Sequence, residues 1–83
     1  MEKSIYTREY TALTRLLCEA RETAGVTQVE LADKLGQSQS FVSKYERGER
    51  RLDVIQLRTV CQALGLTLPD FAERLERSLR SRK

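Results

Sequence analysis

Apolar residues recur along this chain at steps of three and four, the period of helices that each bury one face. Tyr10, Leu13, Leu17, Ala20 and Ala24 mark the first stripe, widened by Leu16 and followed by Gly25. Val29, Leu31, Ala32 and Leu35 mark a second, and Phe41, Val42 and Tyr45 a third. Val54, Leu57, Val60, Cys61 and Leu64 form a fourth, and Leu68, Phe71, Ala72, Leu75 and Leu79 the last and cleanest. No stretch alternates as a strand would. The pattern predicts five helices around one core, an all-α fold in a single domain spanning residues 1–83.

The boundaries carry their own chemistry. Thr7 is placed to cap the first helix, which leaves residues 1–6 as a flexible arm. Thr27 with Glu30, and Asp53 with Gln56, have the spacing of capping boxes. Gly36 and Gly48 suit the left-handed residue that ends a helix, and Ser38 can cap the helix between them. Thr67 opens the last helix, predicted over 67–81, with Pro69 tolerated in its first turn. Across residues 27–48 this gives helix, short glycine-containing turn, helix: the signature of a helix-turn-helix.

Outward positions on the second helix of that pair are Gln39, Ser40, Ser43 and Lys44, with Arg47 one turn on. These are not the Glu–Lys pairs by which a solvated helix face supports itself. They are neutral donors and acceptors plus cations, groups able to meet base edges and phosphates. Arg50 and Arg51 follow at once. Composition agrees without deciding: the net charge is +3, and cations outnumber acids around residues 44–51 and in the tail.

Other chemistries find little support. There is no histidine, and the two cysteines, Cys18 and Cys61, lie far apart without a CxxC, so no metal site of the usual kind and no cofactor is expected. Both cysteines read as small buried hydrophobes. No nucleophile stands beside a base and no glycine loop cradles phosphate, which argues against an enzyme. No window reaches transmembrane length and the start lacks the apolar core of a signal peptide, so the expectation is a cytoplasmic protein without membrane or small-molecule partners.

The run TQVELADKLGQSQSFVSKYERGERRLDVIQL, followed by LGL, resembles the Cro/C1-type (XRE) helix-turn-helix family of bacterial and phage transcription regulators. The similarity covers roughly Leu13 to Leu68. It implies a five-helix lambda-repressor-like domain that places its second motif helix in the major groove of double-stranded DNA. By resemblance Gln28 contacts a phosphate and braces the first reading residue. Gln39, Ser40, Ser43 and Lys44 match base-reading positions, and Gln39 suits adenine. Lys44 can take guanine or a phosphate, and Ser38 can both cap its helix and hold a phosphate. Arg47, Arg50 and Arg51 are expected on the DNA backbone. Phe41 departs from the small polar residue common at its position and fits either the core or a thymine methyl. The resemblance also pairs Arg21 with Glu46; read alone, Arg21 equally suits the dipole at the end of its helix.

One small domain reads about half a site, which discriminates poorly among competing sequences. A homodimer on a palindrome is therefore expected, with Leu68, Phe71, Leu75 and Leu79 as its seam; alternatively that stripe closes its own core. Repressor, restriction–modification controller and mobile-element regulator all fit. The rival class is an antitoxin-like protein-interaction module whose DNA face is secondary.

Overall fold

The protein's structure, a computed structural model, describes the backbone of residues 3–80 and the side chains from Arg8 to Arg80. Five helices and no strand occur among the described residues: α1 Lys3–Thr23, α2 Gln28–Leu35, α3 Gln39–Glu46, α4 Val54–Ala63 and α5 Leu68–Arg80. The all-α expectation is met. α1 packs on α3 and α5, α2 on α3 and α4, and α4 on α5. No helix among the described residues is long and apolar enough to cross a membrane.

The start of α1 needs correcting. It begins at Lys3, so Thr7 lies inside the helix and does not cap it, and residues 3–6 of the expected arm have helical backbone. Nothing between Lys3 and Thr7 is glycine or proline, and a threonine caps only where the backbone turns out of the helix. Residues 1–2 of the expected arm lie outside the described residues, as does residue 81 of the expected last helix.

Both capping boxes form. Thr27 Oγ1 accepts from Glu30 N at 3.0 Å while Glu30 Oε1 accepts from Thr27 N at 2.9 Å. Asp53 and Gln56 exchange the same pair at 2.7 and 3.0 Å. Thr67 Oγ1 accepts from Asp70 N at 3.2 Å at the head of α5. Gly36 closes α2 at φ +67°, with Gln37 N reaching Ala32 O at 2.9 Å; this reversal aims α3 away from α2, and only glycine adopts it without penalty.

Leu17, Leu31, Ala32, Val42, Tyr45, Val60, Cys61, Leu64 and Phe71 form the core, all but hidden from solvent. Two expectations about it change. Val54, read as inward, is 60% exposed beside Ile55 at 67%. Phe71, read as part of a dimer seam, is 1% exposed and anchors α5 to its own core, so it has no surface left for a partner. Cys61 is buried and Cys18 half-buried, both as free thiols, and burial pushes both thiol pKa values up. Both remain protonated at neutral pH; Cys61 behaves as the expected small apolar group, whereas Cys18 donates to Glu22 Oε2 at 3.7 Å and accepts from Arg21 Nη2 at 3.8 Å.

Candidate nucleic-acid interface

The outer face of α3 is built from its cap outward. Ser38 Oγ accepts from Phe41 N at 3.3 Å, fixing where the helix starts. Val42 and Tyr45 turn inward and are fully buried, which forces Gln39, Ser40 and Lys44 out into solvent. Ser43 is half-buried, and its hydroxyl accepts from Arg47 Nη1. Among the four candidate base readers, three are open and the fourth is already engaged.

Behind Gln39 runs a connected set of polar contacts. Gln39 Nε2 donates to Gln28 Oε1 at 2.9 Å, and Gln28 Nε2 donates to Glu46 Oε1 at 2.9 Å. Glu46 in turn accepts from Arg21 Nε at 2.7 Å and Nη2 at 3.2 Å. Arg21 Nη1 donates to Val26 O at 2.9 Å, so the guanidinium also ties the α1–α2 turn. The side chains of Arg21 and Glu46 are only 12% and 7% exposed. Their hydrogen bond holds the Arg21 pKa above its ordinary value against the opposing effect of burial. Arg21 and Glu46 are therefore joined, and the ion pair is continuous with Gln39 at the head of α3.

The basic loop after α3 is held by aromatic rings. Arg50 lies over the Phe41 ring, 4.9 Å from its centroid, and Arg51 over the Tyr10 ring at 4.6 Å. Tyr10 OH also donates to Arg50 O at 3.2 Å. Phe41 packs edge-on against Tyr45, centroids 5.6 Å apart, so its role here is a platform joined to the core. Cations stacked this way are pre-ordered while their charge still faces solvent. Gln37, Ser38, Ser40, Phe41, Lys44 and Arg50 line a polar depression of about 250 Å³ at the head of α3. Two cations beside hydroxyls and an amide form a surface suited to phosphate oxygens.

Arg47 differs from the other two arginines. It pairs with Glu49, Nε to Oε2 at 3.1 Å and Nη2 to Oε1 at 3.0 Å. That pairing raises the Arg47 pKa and lowers the Glu49 pKa. A phosphate at Arg47 competes with Glu49 for the guanidinium. Sequence reading missed this competitor, although a glutamate two residues from an arginine in a loop was visible. It also missed Tyr10 and Phe41 as braces; Tyr10 meets Arg50 across 40 residues, a contact for which no local signal exists.

On the far side, Leu68, Leu75 and Leu79 of α5 are half-buried. Leu75 and Leu79 line a groove of about 410 Å³ with Tyr10, Leu13 and Leu52, rimmed by Glu9, Glu76 and Arg51. Arg77 pairs with Glu73 at 2.8 Å and Arg80 with Glu76 at 3.7 Å, so much of the tail's positive charge is neutralised on its own helix.

A helix-turn-helix family model matches residues 19–71. An XRE-family like protein from Pseudomonas syringae pv. tomato is similar over 92% of this chain and 93% of its own, at 49% identity and TM-score 0.85. The restriction–modification controller protein C.Esp1396I, solved as a tetramer in complex with its natural 35 base-pair operator, is similar over 83% of this chain and 91% of its own, at 25% identity and TM-score 0.76. An uncharacterized HTH-type transcriptional regulator of Sinorhizobium fredii is 43% identical over 47 residues, 57% of this chain; the match spans 61% of that relative's length.

Proposed function

The chain belongs to the XRE family of helix-turn-helix transcriptional regulators, and from that premise we propose that it is a sequence-specific regulator whose α3 reads an operator half-site in the major groove of double-stranded DNA. The carrying observation is Gln39: an exposed amide at the head of α3, held by Gln28 rather than left to swing in solvent. Gln39, Ser40 and Lys44 meet base edges, and Ser43, whose oxygen accepts from Arg47, keeps its O–H to donate to one. Ser38, Arg50, Arg51 and Gln28 hold backbone phosphates, with Arg47 joining in competition with Glu49. Contacts of the second kind position the domain, and those of the first specify sequence.

We further infer a twofold dimer on a palindrome, with the two α3 helices ~34 Å apart. Its seam lies along α5, using Leu75 and Leu79 in the groove together with half-buried Leu68 outside it, and without Phe71. The tetramer formed by the controller protein on its operator shows that this fold supports higher assembly on DNA in that relative.

Selection of bound duplexes from a random pool tests the proposal. The expected product is a palindrome with half-sites one helical turn apart and adenine in each half. A pool that enriches nothing overturns the reading. Light scattering at tens of micromolar tests the seam: a dimer that Leu79→Glu converts to monomer supports it, and a monomeric parent protein refutes it.

A further inference from the structure

The contacts behind Gln39 have a direction, and one buried charge sets it. An ionised carboxylate accepts hydrogen bonds and cannot donate them. Gln28 must therefore turn its NH₂ toward Glu46 Oε1, 2.9 Å away. This leaves Gln28 Oε1, an acceptor, facing Gln39, which answers with its own NH₂ at 2.9 Å. A flipped Gln39 amide would set oxygen against oxygen. The doubly bonded Arg21 guanidinium supplies the countercharge and holds the carboxylate's position.

Gln39 is left with one free N–H beside one free carbonyl oxygen. Adenine offers the complement in the major groove, N7 to accept and N6–H₂ to donate. Guanine offers two acceptors, N7 and O6, and its O6 would face the Gln39 oxygen. An amide free to rotate would escape that clash by turning its NH₂ across both guanine acceptors.

We propose that Glu46 is a specificity-positioning residue: acting through Gln28, it fixes the facing of the Gln39 amide and so selects adenine over guanine at the base pair Gln39 meets. The inference rests on the reading of α3 as the recognition helix, and it goes beyond a structural lock between α1 and α3. A lock alone would change affinity for every sequence alike.

The test uses the selected operator and a version with guanine at the position where Gln39→Ala loses its preference. The parent protein should prefer adenine there on the order of ten- to a hundredfold. Gln28→Met leaves the Arg21–Glu46 pair intact and should melt near the parent while that ratio falls by about tenfold. Glu46→Gln should lower the same ratio as far, and the double variant no further. Preference at base pairs outside Gln39's reach should persist in all three. A Gln28→Met protein that keeps its adenine preference overturns the relay, as does a Glu46→Gln protein that binds both duplexes more weakly by one common factor. A parent protein that favours guanine at that position also overturns it. A parent protein with no preference at any position overturns the recognition-helix reading and the relay together, which separates the two failures.

Discussion

Removing the carboxylate of Glu46 is the severest single test of how this small domain holds together. In Glu46→Ala, Arg21 loses both bonds, at 2.7 and 3.2 Å, and keeps only Val26 O and a long contact from Nη2 to the Cys18 sulfur at 3.8 Å. The Arg21 side chain is 12% exposed, so water reaches little of it and the stranded charge keeps most of its desolvation penalty. Breaking a buried pair by removing one partner costs ~3–5 kcal/mol. Against a total stability of ~5–15 kcal/mol for a natural domain, that is a large share. A domain of 60–100 residues loses about 4–8 °C per kcal/mol, so the melting midpoint should fall by about 12 °C or more. Circular dichroism melts of the parent, Arg21→Ala, Glu46→Ala and the double variant give the coupling energy directly. Replacing both partners together, Arg21→Met with Glu46→Leu, should cost less than Glu46→Ala, because no charge is then buried alone and the Gln28 amide and Val26 O that lose a partner are neutral. A Glu46→Ala midpoint within about 2 °C of the parent would refute the reasoning, since it would show the pair to be as weak as one on the surface.

Two further outcomes follow from particular side chains. Tyr45 is fully buried, its hydroxyl has no hydrogen-bond partner among the described residues, and burial raises its pKa. Tyr45→Phe should therefore raise stability by ~1 kcal/mol, and a drop of similar size in the melting midpoint would contradict this. Glu49→Gln removes the carboxylate that a phosphate at Arg47 must compete with, so it should strengthen binding to every duplex in the same proportion at fixed salt; an unchanged affinity would contradict a phosphate contact at Arg47. Because the Glu49 pKa lies below its ordinary 4.5, the Arg47–Glu49 pairing is complete above that pH and is lost only as pH falls through the lower folded-state value, so the parent's own binding should not show this release near neutrality.

Local signals made most of the architecture legible before any coordinates. Thr27 with Glu30 and Asp53 with Gln56 located two helix starts, and Gly36 located the turn between α2 and α3. Capping involves groups three residues apart, so a sequence displays it whole. Periodicity was less complete. It put Val54 on the inward face of α4, where the structure leaves it 60% exposed: helical spacing assigns a face, and only the packed neighbours decide how far along the helix that face is covered. The same limit put Phe71 on a seam when it fills the core. Long-range contacts left no local trace: nothing near Tyr10 announces Arg50 and Arg51, and Arg21 found Glu46 only through resemblance to a family. The open face of α3 was legible because buried Val42 and Tyr45 leave Gln39, Ser40 and Lys44 nowhere else to point.

Side-by-side titration of Arg50→Ala and Gln39→Ala on the selected operator, its single-base variants and a range of salt concentrations tests the central claim most directly. Loss of Arg50 should flatten the salt slope by ~0.9 and leave the order of preferred sequences unchanged. Loss of Gln39 should leave the slope alone and erase ~1–3 kcal/mol of discrimination at one base pair in each half-site. Two variants that weaken every duplex in the same proportion would contradict the division between side chains that position the domain and side chains that read the sequence.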